Sequence, residues 1–193
     1  MRSLRFGRHV AGTQRLSQRI SEDGIALIVR VADAAAASTA EAEGAKAVAV
    51  DADISGIREA TSLPVVWTGG TDDVPVEVDA VLVHMHERPE EFAPPAGLEL
   101  VVCVHDDEDL EDALDEMDPD LLVIAPKDAD DGPHDGALEL LPDVPAGKLV
   151  IADSDPATRD EILALERAGF DAVIVSAGSI ADLVGDVLPD DPI

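Results

Sequence analysis

The sequence predicts a compact, closed (β/α)8 barrel, the TIM-barrel architecture, with trimmed or missing helices after strands three and four. Three observations carry this. Eight short apolar runs recur along the chain, rich in β-branched residues and continuous rather than alternating, as strands buried on both faces are. Helical patterns separate most of them, the order that parallel strands with crossovers require. The clearest stretch, residues 148–180, reads strand, helix, strand. An open doubly wound sheet is the alternative arrangement of the same elements.

The strand candidates are 25–29, 47–50, 64–67, 80–83, 98–104, 121–124, 149–151 and 172–175. Each is too short for a helix and ends near polar or glycine-containing sequence. Helical patterns cover 33–42, 109–116, 137–141 and 157–168. In the last, Asp155 and Pro156 are the expected N-cap and first-turn residue. Ile162, Leu163, Leu165 and Ala168 supply the apolar stripe, and Gly169 the left-handed stop. Residues 69–78 and 86–97 hold prolines and acids and leave little room for a crossover helix, hence the trimmed barrel. Ahead of the barrel, assigned to 24–193, residues 1–23 form an arginine-rich segment. Leu16 and Ile20 lie one turn apart there, and a short helix packed on the barrel is expected. An anion- or partner-binding arm is the other use of that segment.

The 193 residues suit one domain with a sizeable core, and 46% hydrophobic content excludes a disordered chain. No apolar run is long enough to span a membrane. A single cysteine excludes an internal disulfide and fits a reducing cytoplasm. The net charge of −29 comes from 42 acids against 13 basic residues, only three of them lysine. Acids are spread over turns and helix faces rather than gathered in a tail. Such a surface repels nucleic acid and anionic membranes. It also repels itself unless ions screen it, which points to a halophilic protein of a salt-accumulating cytoplasm.

In a barrel of this kind, function belongs at the carboxyl ends of the strands. Ser154 after strand seven, and Ser176, Gly178 and Ser179 after strand eight, are small or hydroxyl residues with backbone N–H groups to offer. That is the material of a phosphate cradle. His84 and His86 lie two apart and point to one side of strand four. If that side is the lumen, Cys103, His105, Asp128 and Asp153 can join them in a metal site. Otherwise the pair are polar residues at a strand mouth. Trp67 could stack on a ligand ring or simply pack.

Several of these segments resemble indole-3-glycerol phosphate synthase. VCVHDDEDL at 102–110 is similar to that family's VEVHDEEEL motif, IAPKD at 124–128 to INNRD, and ADSD at 152–155 to AESG. AGFDAV at 168–173 is similar to AGADAV, LPVV at 63–66 to the start of LPVLRKDF, and GIALIVR at 24–30 to GIxVIAEIKR. The likeness runs from about 24 to 188. It implies a barrel, a carbon–carbon lyase reaction of tryptophan biosynthesis, a small phosphorylated ligand and no cofactor. It also implies site residues. The family's strand-one glutamate and lysine fall on Leu27 and Val29, its strand-three lysine on Thr68, its strand-five glutamate on Cys103 and its strand-six asparagine on Ala125. The strand-seven glutamate and serine fall on Asp153 and Ser154, the remaining catalytic candidates. The phosphate-binding glycine of strand eight falls on Ser176, with Gly178 close by.

Ring closure needs a general acid and a charged partner for the substrate carboxylate, and leucine, valine and threonine supply neither. The expected function is therefore a phosphate-ligand binder of this type with ring closure weakened or lost. A metal-assisted enzyme using His84, His86 and Asp153, and a non-catalytic structural or regulatory partner, are the alternatives. One consequence of the charge is measurable at once. The thermal midpoint should rise between about 0.1 M and 2 M potassium chloride as the screening length shrinks toward ~3 Å. A flat or falling midpoint over that range would defeat the salt reading.

Overall fold

The computed structural model describes residues 15–22, 24–89, 92–125, 135–178 and 180–184. Eight parallel strands close into a barrel in chain order: β1 Ala26–Arg30, β2 Ala47–Val50, β3 Val65–Trp67, β4 Ala80–His84, β5 Glu99–Val104, β6 Leu121–Ile124, β7 Leu149–Asp153 and β8 Ala172–Val175. Closure is made by β1 against β8, where Leu27 pairs with Val173 and Val29 with Val175. The open doubly wound alternative is thereby excluded. No described helix is long and apolar enough to cross a membrane.

Alternation along each strand divides the core in two. The lumen holds Ala26 and Ile28 of β1, Ala49 of β2, Leu82 of β4, Cys103 of β5, Ile151 of β7 and Ile174 of β8, among others. Alanines beside leucine and isoleucine let large and small side chains share the narrow interior. The outer layer holds Leu27, Val29, Val81, Val102, Ile124 and Val173, packed against helix residues such as Ala37, Leu110, Ile162 and Leu165. Both strand faces are thus dry, which is why the strands read as unbroken apolar runs.

The helices are α1 Leu16–Ile20, α2 Ala34–Ala42, α3 Ile57–Ala60, α4 Asp107–Glu116, α5 Asp135–Leu140, α6 Arg159–Ala168 and α7 Ala181–Val184. Among the described residues none follows β3, and only a 3-10 turn at Met85–Glu87 follows β4. The short helix α3 had no periodic signal in the sequence. Its Arg58 binds the carbonyls of Leu63 and Glu77 and pairs with Asp79, bracing the chain where a crossover helix is missing. Helix α1 closes the other end of the barrel. Leu16 and Ile20 are buried in the lumen layer, and the Ser17 hydroxyl donates to Glu99 at the start of β5 over 2.5 Å.

Two helix starts differ from expectation. α4 begins at Asp107, because Asp106 caps it by accepting from the Asp109 N–H. α6 begins at Arg159 rather than near Asp155. Thr158 is its N-cap, with Glu161 reaching back to the Thr158 N–H in a capping box. Asp155 has a left-handed backbone (φ 44°) and its carboxylate is used elsewhere. Gly169 does end α6 in the left-handed region, φ 115°.

A paired test follows from α6. Leu165→Ala, at a fully buried position, should cost about 2–5 kcal/mol, and Thr158→Ala about 1 kcal/mol through the lost cap. Denaturant unfolding in molar salt measures both. Equal costs, or no cost at Leu165, would contradict the packing described.

Candidate functional site

Continuing the inward series one step past the lumen layer brings eight side chains to the carboxyl-end mouth. They are Arg30, Asp51, Thr68, His84, His105, Ala125, Asp153 and Ser176, each two residues beyond a lumen position. Leu27 and Val29, where the resemblance puts a glutamate and a lysine, instead face the helices. That alignment is one residue out of register with the lumen, and a one-residue slip turns a side chain to the other face. The inward residues of β1 are Ile28 and Arg30. An arginine therefore stands at the mouth where the motif comparison pointed to a valine.

Arg30 and Asp153 form one half of the site. One guanidinium nitrogen, Nη2, donates to both carboxylate oxygens of Asp153, at 2.5 and 2.6 Å, reaching across β8 from β1 to β7. Beside them a cavity of about 220 Å³ is lined by Arg30, Ala49, Asp51, Thr68 and Ala177. Gly69 closes in on its neighbours here. A Cβ at that position would lie 2.3 Å from both the Asp51 carbonyl oxygen and the Trp67 ring. Trp67 itself packs in the outer layer, its indole N–H donating to the Gly70 carbonyl at 2.8 Å.

The cradle residues are arranged around a carboxylate. Asp155 accepts the Ser176 N–H at 2.6 Å and the Ser176 hydroxyl at 2.8 Å, tying the loop after β7 to the loop after β8. Its left-handed backbone turns the side chain across that gap. Ser154 is buried, and its hydroxyl oxygen has no hydrogen-bond partner. Gly178 is exposed. Ser179 and Asp128 lie outside the described residues.

The other half is a histidine corner. His84 pairs in register with Cys103 across β4 and β5, so both side chains enter the lumen side by side. His105 is two residues beyond Cys103 on the same side. Its ring stacks on His84 with centroids 5.4 Å apart, and His86 meets it edge-on at 4.6 Å. Asp109, from the first turn of α4, accepts the His105 backbone N–H at 3.0 Å and lies 3.1 Å from Nδ1. Asp109 is buried, and it was not among the residues singled out from sequence. The available signal was its place four residues past a histidine at a strand-to-helix turn.

Burial, joined by the charge of His105, lowers the His84 pKa and favours neutral imidazole. Burial likewise pushes the Cys103 thiol far up, aided by the carboxylates of Asp153 and Asp109, so the free thiol stays protonated. Donor atoms of His84, Cys103 and His105 lie within 4.8 Å of one another, as do those of His86, His105 and Asp109. Asp153 is in neither group; its carboxylate is on Arg30.

No family model matches the chain. An 87-residue stretch, 44% of the chain, is 31% identical to indole-3-glycerol phosphate synthase of Campylobacter fetus subsp. fetus (strain 82-40). The match spans 33% of that enzyme's length. Among solved structures, thiamine phosphate pyrophosphorylase from Pyrococcus furiosus superposes with a TM-score of 0.59 over 82% of this chain and 89% of that one, at 15% identity. At that identity the superposition speaks for the fold alone. The chain is a TIM barrel, closed by eight parallel strands and short of helices, and its sequence is distantly similar to indole-3-glycerol phosphate synthase.

Proposed function

We propose that the chain binds a small phosphorylated ligand at the carboxyl-end mouth and does not close the indole ring. The observation that supports this is where the internal carboxylates sit. The strongest donors of the mouth, the Arg30 guanidinium and the Ser176 N–H and hydroxyl, each already hold an anion, Asp153 and Asp155 respectively. A site whose donors are satisfied by carboxylate oxygens has the geometry to accept phosphate oxygens instead. The unpartnered Ser154 hydroxyl and the exposed Gly178 complete the proposed cradle. The two resident carboxylates would have to be displaced or turned aside, which makes binding weak.

Ring closure is proposed absent because no lysine stands among the described inward residues of the mouth. The inward positions of β1, β3, β5 and β6 carry Ile28, Thr68, Cys103 and Ala125 near the centre. None of these is an acid at neutral pH or a cation for the substrate carboxylate. Asp153 and Arg30 are engaged with each other, leaving no free acid–base pair among the described residues on the side of β7 and β8. The surrounding net charge of −29 opposes a dianionic ligand. Binding should therefore strengthen with salt, the reverse of a basic phosphate site.

Two measurements test this. Ribose 5-phosphate titrated at about 2 M salt should bind the wild type weakly, bind Asp155→Asn more tightly, and lose roughly tenfold or more in Arg30→Gln, the scale of one charge-assisted hydrogen bond. Absence of binding by both wild type and Asp155→Asn would remove the phosphate reading. Separately, the carboxyphenylamino deoxyribulose phosphate substrate should give no indole glycerol phosphate. Turnover within the common range of about 1–10³ per second would overturn the loss of ring closure.

A further inference from the structure

We infer that the histidine corner is a zinc site, with His84, Cys103 and His105 as protein ligands and an open fourth position facing the mouth. This is independent of phosphate binding, which concerns the opposite side of the same mouth. Three of the five histidines and the only cysteine of the chain meet at this corner, at the carboxyl ends of two neighbouring strands.

The geometry favours one of the two possible ligand groups. Asp109 Oδ2 faces two groups of the same residue: it accepts the His105 backbone N–H and lies within hydrogen-bonding distance of Nδ1. To coordinate a metal itself it would have to give up that double role. Left in place, it accepts the hydrogen bond of the Nδ1–H and leaves the Nε2 lone pair of His105 available. Nε2 points toward Cys103, with Sγ 4.0 Å away. A carboxylate that fixes a histidine tautomer while the far nitrogen binds metal is the usual support of zinc ligands.

The spacing is close to what zinc needs. Tetrahedral zinc with Zn–S of about 2.3 Å and Zn–N of about 2.0 Å sets its sulfur and nitrogen ligands roughly 3.5 Å apart. The donor atoms of His84, Cys103 and His105 already lie within 4.8 Å of one another, so side-chain adjustment alone closes the site. Two imidazoles and a thiolate suit zinc over calcium or magnesium, which prefer oxygen. On binding, Cys103 exchanges its thiol proton for the metal, and that proton leaves to solvent. Three protein ligands leave one position for water or an anionic oxygen. His86, with 42% of its side chain exposed, stands beside His105 at the rim of that position.

The experiment uses the full chain in molar salt, where loose cation binding to surface acids is screened. Purified protein stripped with chelator and reloaded should take up one zinc per chain. Cobalt in its place should give the near-ultraviolet thiolate-to-cobalt absorption of a Cys103 ligand. That band should vanish in Cys103→Ser and persist in His86→Ala. Zinc affinity should fall about 10–100-fold in Asp109→Asn, which removes the support without removing a ligand. Wild-type protein with no cobalt–thiolate band, a band that survives in Cys103→Ser, or unchanged zinc affinity in Asp109→Asn would each overturn the assignment. Circular dichroism of every variant separates loss of the site from loss of the fold.

Discussion

The pairing of β1 with β8 is the constraint on which the mouth depends. Without it, Arg30 would stand on the edge of an open sheet. With it, β1, β8 and β7 are consecutive staves, and a guanidinium from the first meets a carboxylate from the third. Closure also forces every strand to be apolar on both faces except at its ends. Polar chemistry is thereby excluded from the strands and concentrated in one ring of side chains at their carboxyl ends. The amino ends are given to packing, with Leu16 and Ile20 stopping the lumen and Glu99 fastening α1 in place.

The acids of this chain have two distinct employments. Most of those among the described residues are exposed. A smaller number act as internal hydrogen-bond acceptors at points where the barrel has donors to spare. Asp79 and Asp171 stand just before β4 and β8, and each accepts the backbone N–H of the preceding strand, Val65 and Val150, at 2.8 Å. Glu41 gathers the Thr61 hydroxyl and the Ser62 N–H at the turn after α3, and those bonds, with the Ser62 hydroxyl first among them, hold its pKa below the usual value. Asp155 and Asp109 are likewise acceptors of N–H and O–H groups at the mouth. With only three lysines in the chain, carboxylates do their structural work on N–H and O–H groups as much as on cations.

Much of the fold was legible because dry strands announce themselves. Eight apolar runs such as 121–124 and 172–175 could be placed without any partner in view. The helix after β7 was legible in its stripe and its terminal Gly169, but its start was misread. Asp155-Pro156 has the look of a helix opening, and only the structure shows Asp155 committed to Ser176 across the mouth. The site was harder to read because facing depends on register. A motif alignment put functional positions at Leu27 and Val29, and a one-residue difference in phase moved the inward role to Ile28 and Arg30. His84 with His86 was visible as a pair, yet the contacts that organise the corner run from His105 to Cys103 and Asp109. Those contacts join separate elements, and nothing in the spacing of His84 and His86 alone signals them.

The missing helix after β3 has an optical consequence. Trp67 is the only tryptophan of the chain and ends the shortest strand, its ring held in the outer layer by the Gly70 carbonyl and pressed against Gly69. The wall it belongs to is braced by Arg58 rather than sheathed by a crossover helix. Its fluorescence therefore reports the barrel at its thinnest stave. Emission would register water reaching that wall. The chain thus carries an intrinsic optical reporter on the part of the barrel that no helix sheathes, set apart from the histidine corner.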